Sequence, residues 1–214
     1  MSVETKICGL KSAEAVAEAV KGGAAYVGFV FYPPSPRAVS AAAAGALCAA
    51  VPEGVRRVGL FVDAADAAIA AVLGEAALDL LQFHGHEPPA RVAAARARFG
   101  RPVIKAVAIA GPADLAVAER YEAVADMLLF DAKPPRRPDA LPGGNGLAFD
   151  WQLISGHRWA RPWMLSGGLT AELLPQAVRL SGAQIVDVSS GVEEAPGRKD
   201  LAKIRAFLAA ARAL

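Results

Sequence analysis

The stretches PWMLSGGL (residues 162–169) and IVDVSSGVE (residues 185–193) decide the fold of this chain. Each is an apolar run that ends abruptly in small polar residues and glycine, and a helix-like segment separates the two. An apolar run buried on both faces is typical of a parallel strand, and a Ser/Gly ending is typical of a loop whose backbone approaches a ligand closely. Two such endings on consecutive βα units predict the phosphate-binding loops that follow strands 7 and 8 of a (β/α)8 barrel.

Six further apolar runs precede these stretches, and helix-like segments alternate with them. The runs cover residues 5–10, 25–31, 57–62, 78–83, 102–109 and 126–131. Strict alternation of strand and helix at a period of about 25 residues requires a parallel sheet. A doubly wound open sheet has the same alternation but usually stops at about five or six strands, so the larger count favours the barrel. The sequence therefore predicts an α/β fold in which residues 1–214 form a single (β/α)8 TIM barrel domain.

The composition of the chain excludes several classes of protein. The net charge is +2 and the basic residues are scattered, whereas a nucleic-acid-binding surface needs a concentrated basic face. Two cysteines, Cys8 and Cys48, are too few for a disulfide framework, which indicates a reducing cytoplasm. Lys6 interrupts the only early apolar run, and no stretch reaches the roughly 18 apolar residues of a membrane span. We therefore expect a soluble cytoplasmic protein with neither a nucleic-acid nor a membrane partner.

Polar residues stand near the carboxyl ends of most predicted strands, which is where (β/α)8 barrels carry their catalytic groups. These residues are Lys6, Cys8, Arg37, Asp63, Gln82, His84, Asp131, Ser166, Asp187, Ser189 and Ser190. Successive side chains of a strand alternate between its two faces, so Lys6 shares a face with Cys8. By the same alternation, Cys8, Asp131 and Asp187 are expected to point into one barrel mouth.

A thiol and a carboxylate that face each other across a barrel mouth suit general base and general acid catalysis. Such a base must be partly thiolate at neutral pH, and the charge of Lys6 on the same face would lower the pKa of Cys8. The alternative is that Cys8 is a small buried hydrophobe, as most free cysteines are, and that Asp131 only caps a loop. Asp63 has a similar alternative, since it would cap a helix that starts at Ala65.

Several motifs resemble segments of the phosphoribosylanthranilate isomerase family, in the family's order and from residue 4 to the last predicted helix. They are KICGL at residues 6–10, GFVFYPPSPR at 28–37, LLQFHG at 80–85, LLFD at 128–131, GGNGLAFDW at 143–151, LSGGL at 165–169 and DVSSGVE at 187–193. KICG, SPR and DVSSGVE together are highly specific, whereas each alone is weak. One departure is Asn145, where the family usually has threonine, and it bears on the ligand contacts of that loop.

The resemblance implies an Amadori rearrangement in tryptophan biosynthesis, from N-(5-phosphoribosyl)anthranilate to 1-(2-carboxyphenylamino)-1-deoxyribulose 5-phosphate. Asp131 would be the general acid that opens the furanose ring, and Cys8 the general base that takes the proton from C2. Arg37 would face the anthranilate carboxylate, a planar anion that a guanidinium fork suits. The other implied site residues are Gly146, Gly168, Ser190 and Gly191 at the phosphate, Asp187 at the sugar hydroxyls, and Gln82 and His84 as further substrate contacts.

The resemblance also implies that no metal and no organic cofactor is needed, because the substrate's own nitrogen serves as the electron sink. The expected partner is the phosphorylated sugar–anthranilate substrate, and the chain is expected to be a monomer or a homodimer. Residues 133–146 are a candidate lid, and their basic cluster, Lys133, Arg136 and Arg137, is interpreted as a solvated loop. Four further residues are interpreted as structural: Trp151 and Trp163 in packing, and Lys199 and Asp200 at the start of the last helix.

Two other functions compete with this interpretation. A different phosphosugar barrel enzyme would carry paired aspartates or metal ligands at its strand ends, but strand 1 ends in Cys8. The three histidines, which a metal site would need close together, fall on different loops at residues 84, 86 and 157. A non-catalytic phosphate-binding module would keep the two glycine-rich loops and lose the chemistry. The presence of both Cys8 and Asp131 argues against that module.

Overall fold

The computed structural model describes residues 3–135 and 141–214. Within these residues, eight parallel strands form a closed barrel in which each strand pairs with the next and β1 pairs with β8. The strands are β1 (Glu4–Cys8), β2 (Tyr26–Val30), β3 (Arg56–Phe61), β4 (Leu80–Phe83), β5 (Val103–Ile109), β6 (Met127–Ala132), β7 (Trp163–Leu165) and β8 (Ile185–Val188). The closure confirms the predicted (β/α)8 barrel and excludes the open doubly wound sheet.

The helices and the remaining short elements follow the strands in order. The α-helices of the described residues are α1 (Ala13–Lys21), α2 (Ala41–Ala49), α3 (Asp66–Glu75), α4 (Pro89–Phe99), α5 (Ala113–Glu119), α6 (Leu174–Ser181) and α7 (Leu201–Arg212). Single 3-10 turns lie at Trp151–Leu153 and Ser190–Val192, and the hairpin β9 (Glu193–Ala195) and β10 (Arg198–Lys199) follows the second turn. Among the helices described, none is long and apolar enough to cross a membrane.

Side-chain caps explain where three of the helices begin. Ser12 and Ser40 each accept a hydrogen bond at 3.2 Å from the N–H group three residues further on, and Asp200 caps α7 in the same way. Helix α3 differs, because its N-cap residue, Ala65, has no capping side chain. Asp63 lies two residues before that cap, with a left-handed φ of 48°. The expectation that Asp63 caps this helix is therefore wrong.

Asp63 instead fixes the loop that follows β4. Its Oδ1 accepts a hydrogen bond from the backbone N–H of His86 at 2.7 Å. The backbone N–H of Asp63 donates in turn to Glu87 Oε1 at 2.8 Å, and Glu87 forms a buried ion pair with Lys105 at 2.9 Å. These contacts hold the loop that starts at His84, so the carboxyl end of β4 is rigidly placed beside the barrel mouth.

The alternation of side chains along the strands divides the core into two parts. Outward-facing residues pack against the helices, and a smaller cluster fills the barrel interior. The interior cluster comprises Tyr26, Val58, Leu80, Ile104, Ala106, Met127, Leu129 and Met164. In β6, Met127 and Leu129 face the interior, and Asp131 comes two residues later at the carboxyl end of the strand. The strand period therefore carries Asp131 into the mouth of the barrel, as the sequence predicts.

Candidate active site

An open cavity of about 690 Å³ lies at the carboxyl ends of the barrel strands. Most of the predicted site residues line it: Cys8, Arg37, His84, Asp131, Gly146, Gly168, Asp187, Ser190 and Gly191. Gln82 is the exception, since its side chain is fully buried behind His84 and does not line the cavity. The strand-end residues thus converge on one site, while Gln82 supports it from beneath.

Cys8 ends β1 and presents its thiol at the edge of the cavity, where only 3% of the residue is exposed. Burial raises the pKa of Cys8, because a thiolate loses its hydration in this environment. The ammonium groups of Lys6 and Lys199 act in the opposite direction but do not outweigh burial. Lys6 thus lowers the pKa of this thiol, as the sequence predicts, but burial outweighs its charge and the net pKa lies above the ordinary value.

Lys6 forms a buried ion pair with Asp187 across β1 and β8. Its Nζ donates to Asp187 Oδ1 at 2.8 Å, and Ser166 Oγ donates to Oδ2 of the same carboxylate at 3.3 Å. Burial alone would lower the pKa of Lys6, but the Asp187 carboxylate and the Cys8 thiol outweigh it and raise the pKa. Lys6 therefore stays charged, and Asp187 is held at the cavity wall by partners on both of its oxygens.

Asp131 lies at the end of a hydrogen-bonded chain that begins at Gln82. Gln82 Nε2 and His84 Nδ1 are 3.0 Å apart, and His84 Nε2 and Asp131 Oδ2 are 3.2 Å apart. When the Gln82 amide donates to Nδ1, the ring proton of His84 stands on Nε2 and is donated to Asp131. The sequence placed Gln82 and His84 at the site but gave no indication that they act in series on Asp131.

Arg37 belongs to a second buried charge cluster that the sequence motifs did not predict. Its Nε donates to Glu193 Oε1 at 2.9 Å and its Nη2 to Glu193 Oε2 at 2.8 Å. Lys199 Nζ binds the same carboxylate at 2.9 Å, from the second strand of the β9–β10 hairpin. Burial alone would raise the pKa of Glu193, but Arg37 and Lys199 outweigh it and lower the pKa. The DVSSGVE motif contains Glu193, which is the one signal that the sequence offered.

The glycine-rich loops close one side of the cavity. Gly146 and Gly168 have left-handed φ values of 72° and 64°, which favour glycine, and a Cβ on Gly191 would overlap the carbonyl oxygen of Leu169. Asn145, which differs from the usual family threonine, donates from Nδ2 to a carbonyl oxygen of its own loop at 2.8 Å. The backbone therefore approaches the cavity closely at the ends of β6, β7 and β8.

The loop after β6 lies against His84 and Asp131 in the cavity. A Cβ on Gly143 would stand 2.5 Å from His84 Nε2 and 2.7 Å from Asp131 Oδ2, so only a residue without a side chain fits there. Of the basic cluster in the candidate lid, Lys133 pairs with Asp114 at 3.2 Å on the surface. Residues 136–140, which include the other two members of the cluster, lie outside the described residues.

An apolar wall completes the cavity on the side of β2 and β3. It consists of the side chains Val30, Tyr32, Leu60 and Val62, which pack beside Cys8. The wall adjoins the segment that carries Arg37, whose guanidinium lines the same cavity. The cavity thus combines an apolar face, a cation, a thiol, a carboxylate and a glycine-rich backbone, a set that fits a ligand with one aromatic and one anionic end.

The chain is similar in sequence and fold to proteins of one family. The chain matches the family model described as N-(5'phosphoribosyl)anthranilate (PRA) isomerase over residues 5–210. A protein of Rhodospirillum centenum named N-(5'-phosphoribosyl)anthranilate isomerase is 58% identical over 214 residues, which are 100% of each chain.

Two solved structures extend the agreement to three dimensions. The crystal structure of phosphoribosyl anthranilate isomerase from Thermotoga maritima matches with a TM-score of 0.89 and 37% identity, covering 99% of this chain and 100% of that one. A phosphoribosyl anthranilate isomerase in complex with reduced 1-(o-carboxyphenylamino)-1-deoxyribulose 5-phosphate matches with a TM-score of 0.86 and 36% identity, at the same coverage. This chain therefore belongs to the N-(5'-phosphoribosyl)anthranilate isomerase family and is an isomerase.

Proposed function

We propose that this protein converts N-(5'-phosphoribosyl)anthranilate to 1-(2-carboxyphenylamino)-1-deoxyribulose 5-phosphate in tryptophan biosynthesis, with Asp131 as general acid and Cys8 as general base. The observation that carries the proposal is that both groups line one cavity together with Arg37 and the glycine-rich loops. The family to which the chain belongs supports the same substrate.

The first step opens the furanose ring of the substrate. Asp131 gives its proton to the ring oxygen while the bond from that oxygen to C1 breaks, and the anilino nitrogen supplies the electron pair that forms a C1–N iminium. The carboxylate left on Asp131 then accepts the Nε2–H of His84, at the 3.2 Å separation of these atoms. This contact stabilises the anion at the moment when it forms.

The second step removes the proton from C2. Cys8 takes that proton, the electron pair forms a C1–C2 double bond, and the iminium nitrogen becomes neutral. The resulting enolamine tautomerises to the ketone, so the sequence needs no external electron acceptor. Burial raises the pKa of Cys8 and so disfavours the thiolate. The positive charge of the adjacent iminium lowers this pKa again and favours the thiolate at the step that needs the base.

The remaining residues hold the two ends of the substrate. The guanidinium of Arg37 suits the anthranilate carboxylate, and the apolar wall beside it suits the aromatic ring. The backbone at Gly146, Gly168, Ser190 and Gly191 suits the phosphate, since such loops present N–H groups without side-chain bulk. Asp187 is assigned to the sugar hydroxyls. With both ends anchored, C1, C2 and the ring oxygen lie between the acid and the base.

The direct test is the loss of anthranilate-type fluorescence when the purified protein meets freshly prepared N-(5'-phosphoribosyl)anthranilate. We expect turnover by the wild type and a fall in kcat of about 10²–10⁴-fold in each of Cys8→Ser and Asp131→Asn, the usual contribution of one proton transfer. In the wild type, kcat/KM should rise with pH toward the raised pKa of the thiol, and this limb should be absent in Cys8→Ser. A wild type that binds phosphate but shows no turnover would favour the non-catalytic module instead.

A further inference from the structure

Three charged side chains from distant parts of the chain meet beside the cavity. Arg37 follows β2, Glu193 begins β9 and Lys199 ends β10. All three side chains are buried from solvent: 7% of Arg37, 4% of Glu193 and 3% of Lys199 are exposed. A carboxylate buried this deeply is stable as an anion only when cations and hydrogen bonds surround it, and both are present.

Glu193 determines which edge of the Arg37 guanidinium is left for a ligand. The carboxylate binds Nε and Nη2 as a bidentate pair, and Nη2 also donates to the carbonyl oxygen of Gly144 at 3.2 Å. Nη1 is the remaining nitrogen with which Arg37 can meet an anion in the cavity that it lines. A guanidinium clamped by two parallel bonds has little rotational freedom, so its free edge keeps one direction.

The clamp has an electrostatic disadvantage that Lys199 removes. Arg37 and Glu193 alone carry +1 and −1, so the pair is neutral, and its carboxylate would repel an anionic ligand. With Lys199 the cluster sums to +1. In a nearly dry environment a single uncompensated charge has a large effect on the affinity for an ion, because water screens it poorly.

Lys199 also connects the cluster, through Ser189, to the backbone of Cys8. Its Nζ donates to the backbone oxygen of Ser189 at 2.8 Å and lies 3.3 Å from Ser189 Oγ. Ser189 Oγ donates in turn to the backbone oxygen of Cys8 at 3.1 Å. Lys199 therefore links the end of β8 to the end of β1, in addition to holding Glu193.

We propose that Glu193 and Lys199 are positioning residues for the substrate's carboxylate: Glu193 clamps Arg37 in its binding orientation, and Lys199 cancels the charge of Glu193 so that this side of the cavity stays cationic. The inference rests on the proposed function only in naming the carboxylate. It assigns a role to the β9–β10 hairpin, which otherwise has no part in the site.

The test compares two non-reactive ligands that differ only in the carboxylate. One is reduced 1-(2-carboxyphenylamino)-1-deoxyribulose 5-phosphate, and the other is its phenylamino counterpart without the carboxylate. Calorimetric affinities are measured for the wild type, Lys199→Met and the double variant Lys199→Met/Glu193→Gln. The control variants are Arg198→Met and Glu194→Gln, which neutralise an exposed pair on the same hairpin.

We expect Lys199→Met to weaken binding of the carboxylate ligand about 10-fold or more and binding of the other ligand less than about 3-fold, since the uncompensated Glu193 then opposes only the carboxylate. Glu193→Gln added to Lys199→Met should recover part of the loss, because the cluster returns to +1. KM of the substrate should follow the same order, with smaller changes in kcat. The controls should bind both ligands as the wild type does.

Two results would overturn the proposal. One is an equal loss for both ligands in Lys199→Met, and the other is a double variant that binds more weakly than the single one, as expected of a purely structural hairpin. If Lys199→Met does not fold, Lys199→Gln makes the same comparison with a hydrogen-bond donor retained. A wild type that prefers the carboxylate ligand but does not isomerise the substrate would refute the proposed function and leave this inference standing.

Discussion

The two ends of the barrel both carry ion pairs, but they expose them very differently. At the amino-terminal ends of the strands, Arg57 binds Asp79 at 2.8 Å, and 27% and 34% of these side chains stay exposed. At the carboxyl-terminal ends, Lys6 binds Asp187 at the same distance with 0% and 5% exposed. The apolar interior cluster lies between the two ends.

The difference in exposure indicates that the two ion pairs have different roles. The Arg57–Asp79 pair, about a third exposed, keeps much of its hydration, so it contributes little to stability and loses little hydration on folding. A buried pair loses its hydration, and apolar residues of similar volume would often stabilise the fold as well or better. The interior cluster shows that this chain fills its barrel with apolar side chains where no ligand is handled. Asp187 of the buried pair lines the cavity, so that pair is best explained by the chemistry of the site, whereas the buried Glu87–Lys105 pair fixes the loop after β4.

The largest expected effect comes from removing one member of each pair. Lys6→Met leaves the Asp187 carboxylate buried without its cation and should lower the free energy of unfolding by about 3–5 kcal/mol. Arg57→Met, the matched change at the other end, should lower it by no more than about 1 kcal/mol, because Asp79 is then solvated. Urea unfolding at neutral pH measures the free energy of unfolding of both single variants. The double variant Lys6→Met/Asp187→Leu should regain most of the loss, and equal losses in the two single variants would refute the distinction between the ends.

A smaller effect, on catalysis, is expected from breaking the hydrogen bonds that connect Gln82 and His84 to Asp131. Gln82→Met keeps the volume of the side chain but removes the contact with His84, so the ring is no longer held toward Asp131. We expect kcat to fall on the order of 10-fold with KM nearly unchanged, since a misplaced group affects the reaction more than binding.

A second substitution at the same position separates orientation from packing. In Gln82→Glu the ionised carboxylate accepts from His84 Nδ1, so in the neutral ring Nε2 has no proton for the Asp131 carboxylate. We expect kcat to fall at least as far as in Gln82→Met. Wild-type kcat in Gln82→Glu would contradict the role given to His84, and the fluorescence assay with substrate decides between these outcomes.

The sequence was sufficient to place Cys8 and Asp131 at the barrel mouth because both positions follow from the strand period. Cys8 and Asp131 end apolar runs, and alternation along a strand decides which face they take. The glycine-rich loops after β7 and β8 were predictable for a similar reason, because an abrupt Ser/Gly ending has few structural alternatives. These features are local, so a single run of residues contains the information.

The features that the sequence could not reveal depend on contacts between distant residues. Arg37 and Glu193 are 156 positions apart, and Lys199 reaches them from a hairpin whose residues form no apolar run. Asp63 resembled a helix cap but binds the loop of β4 instead. The net pKa shift of Cys8 was also out of reach, because the proximity of Lys6 was predictable while the depth of burial that outweighs it was not.

The smallest expected effect is the pH dependence of the Asp79 pair. Burial alone would raise the pKa of Asp79, but its bonds to Arg57 outweigh burial and hold the pKa below the ordinary value of 3.8. The stabilisation from this carboxylate is therefore complete above that value and is lost as pH falls through the lower pKa of the folded state. Asp79→Asn should lower the free energy of unfolding at neutral pH by no more than about 1 kcal/mol. The difference from wild type should vanish in acid, because the protonated carboxyl and the amide are then both neutral.

Urea unfolding of the two proteins between neutral and acid pH measures this convergence, with kcat at neutral pH as the control. We expect kcat to be unchanged, since Asp79 lies at the amino-terminal end and does not line the cavity. A difference in stability that grows toward acid pH would show that the pair does not titrate as its contacts indicate. A loss of kcat would show that charge at one end of the barrel affects the other, and the two ends could then no longer be treated as independent.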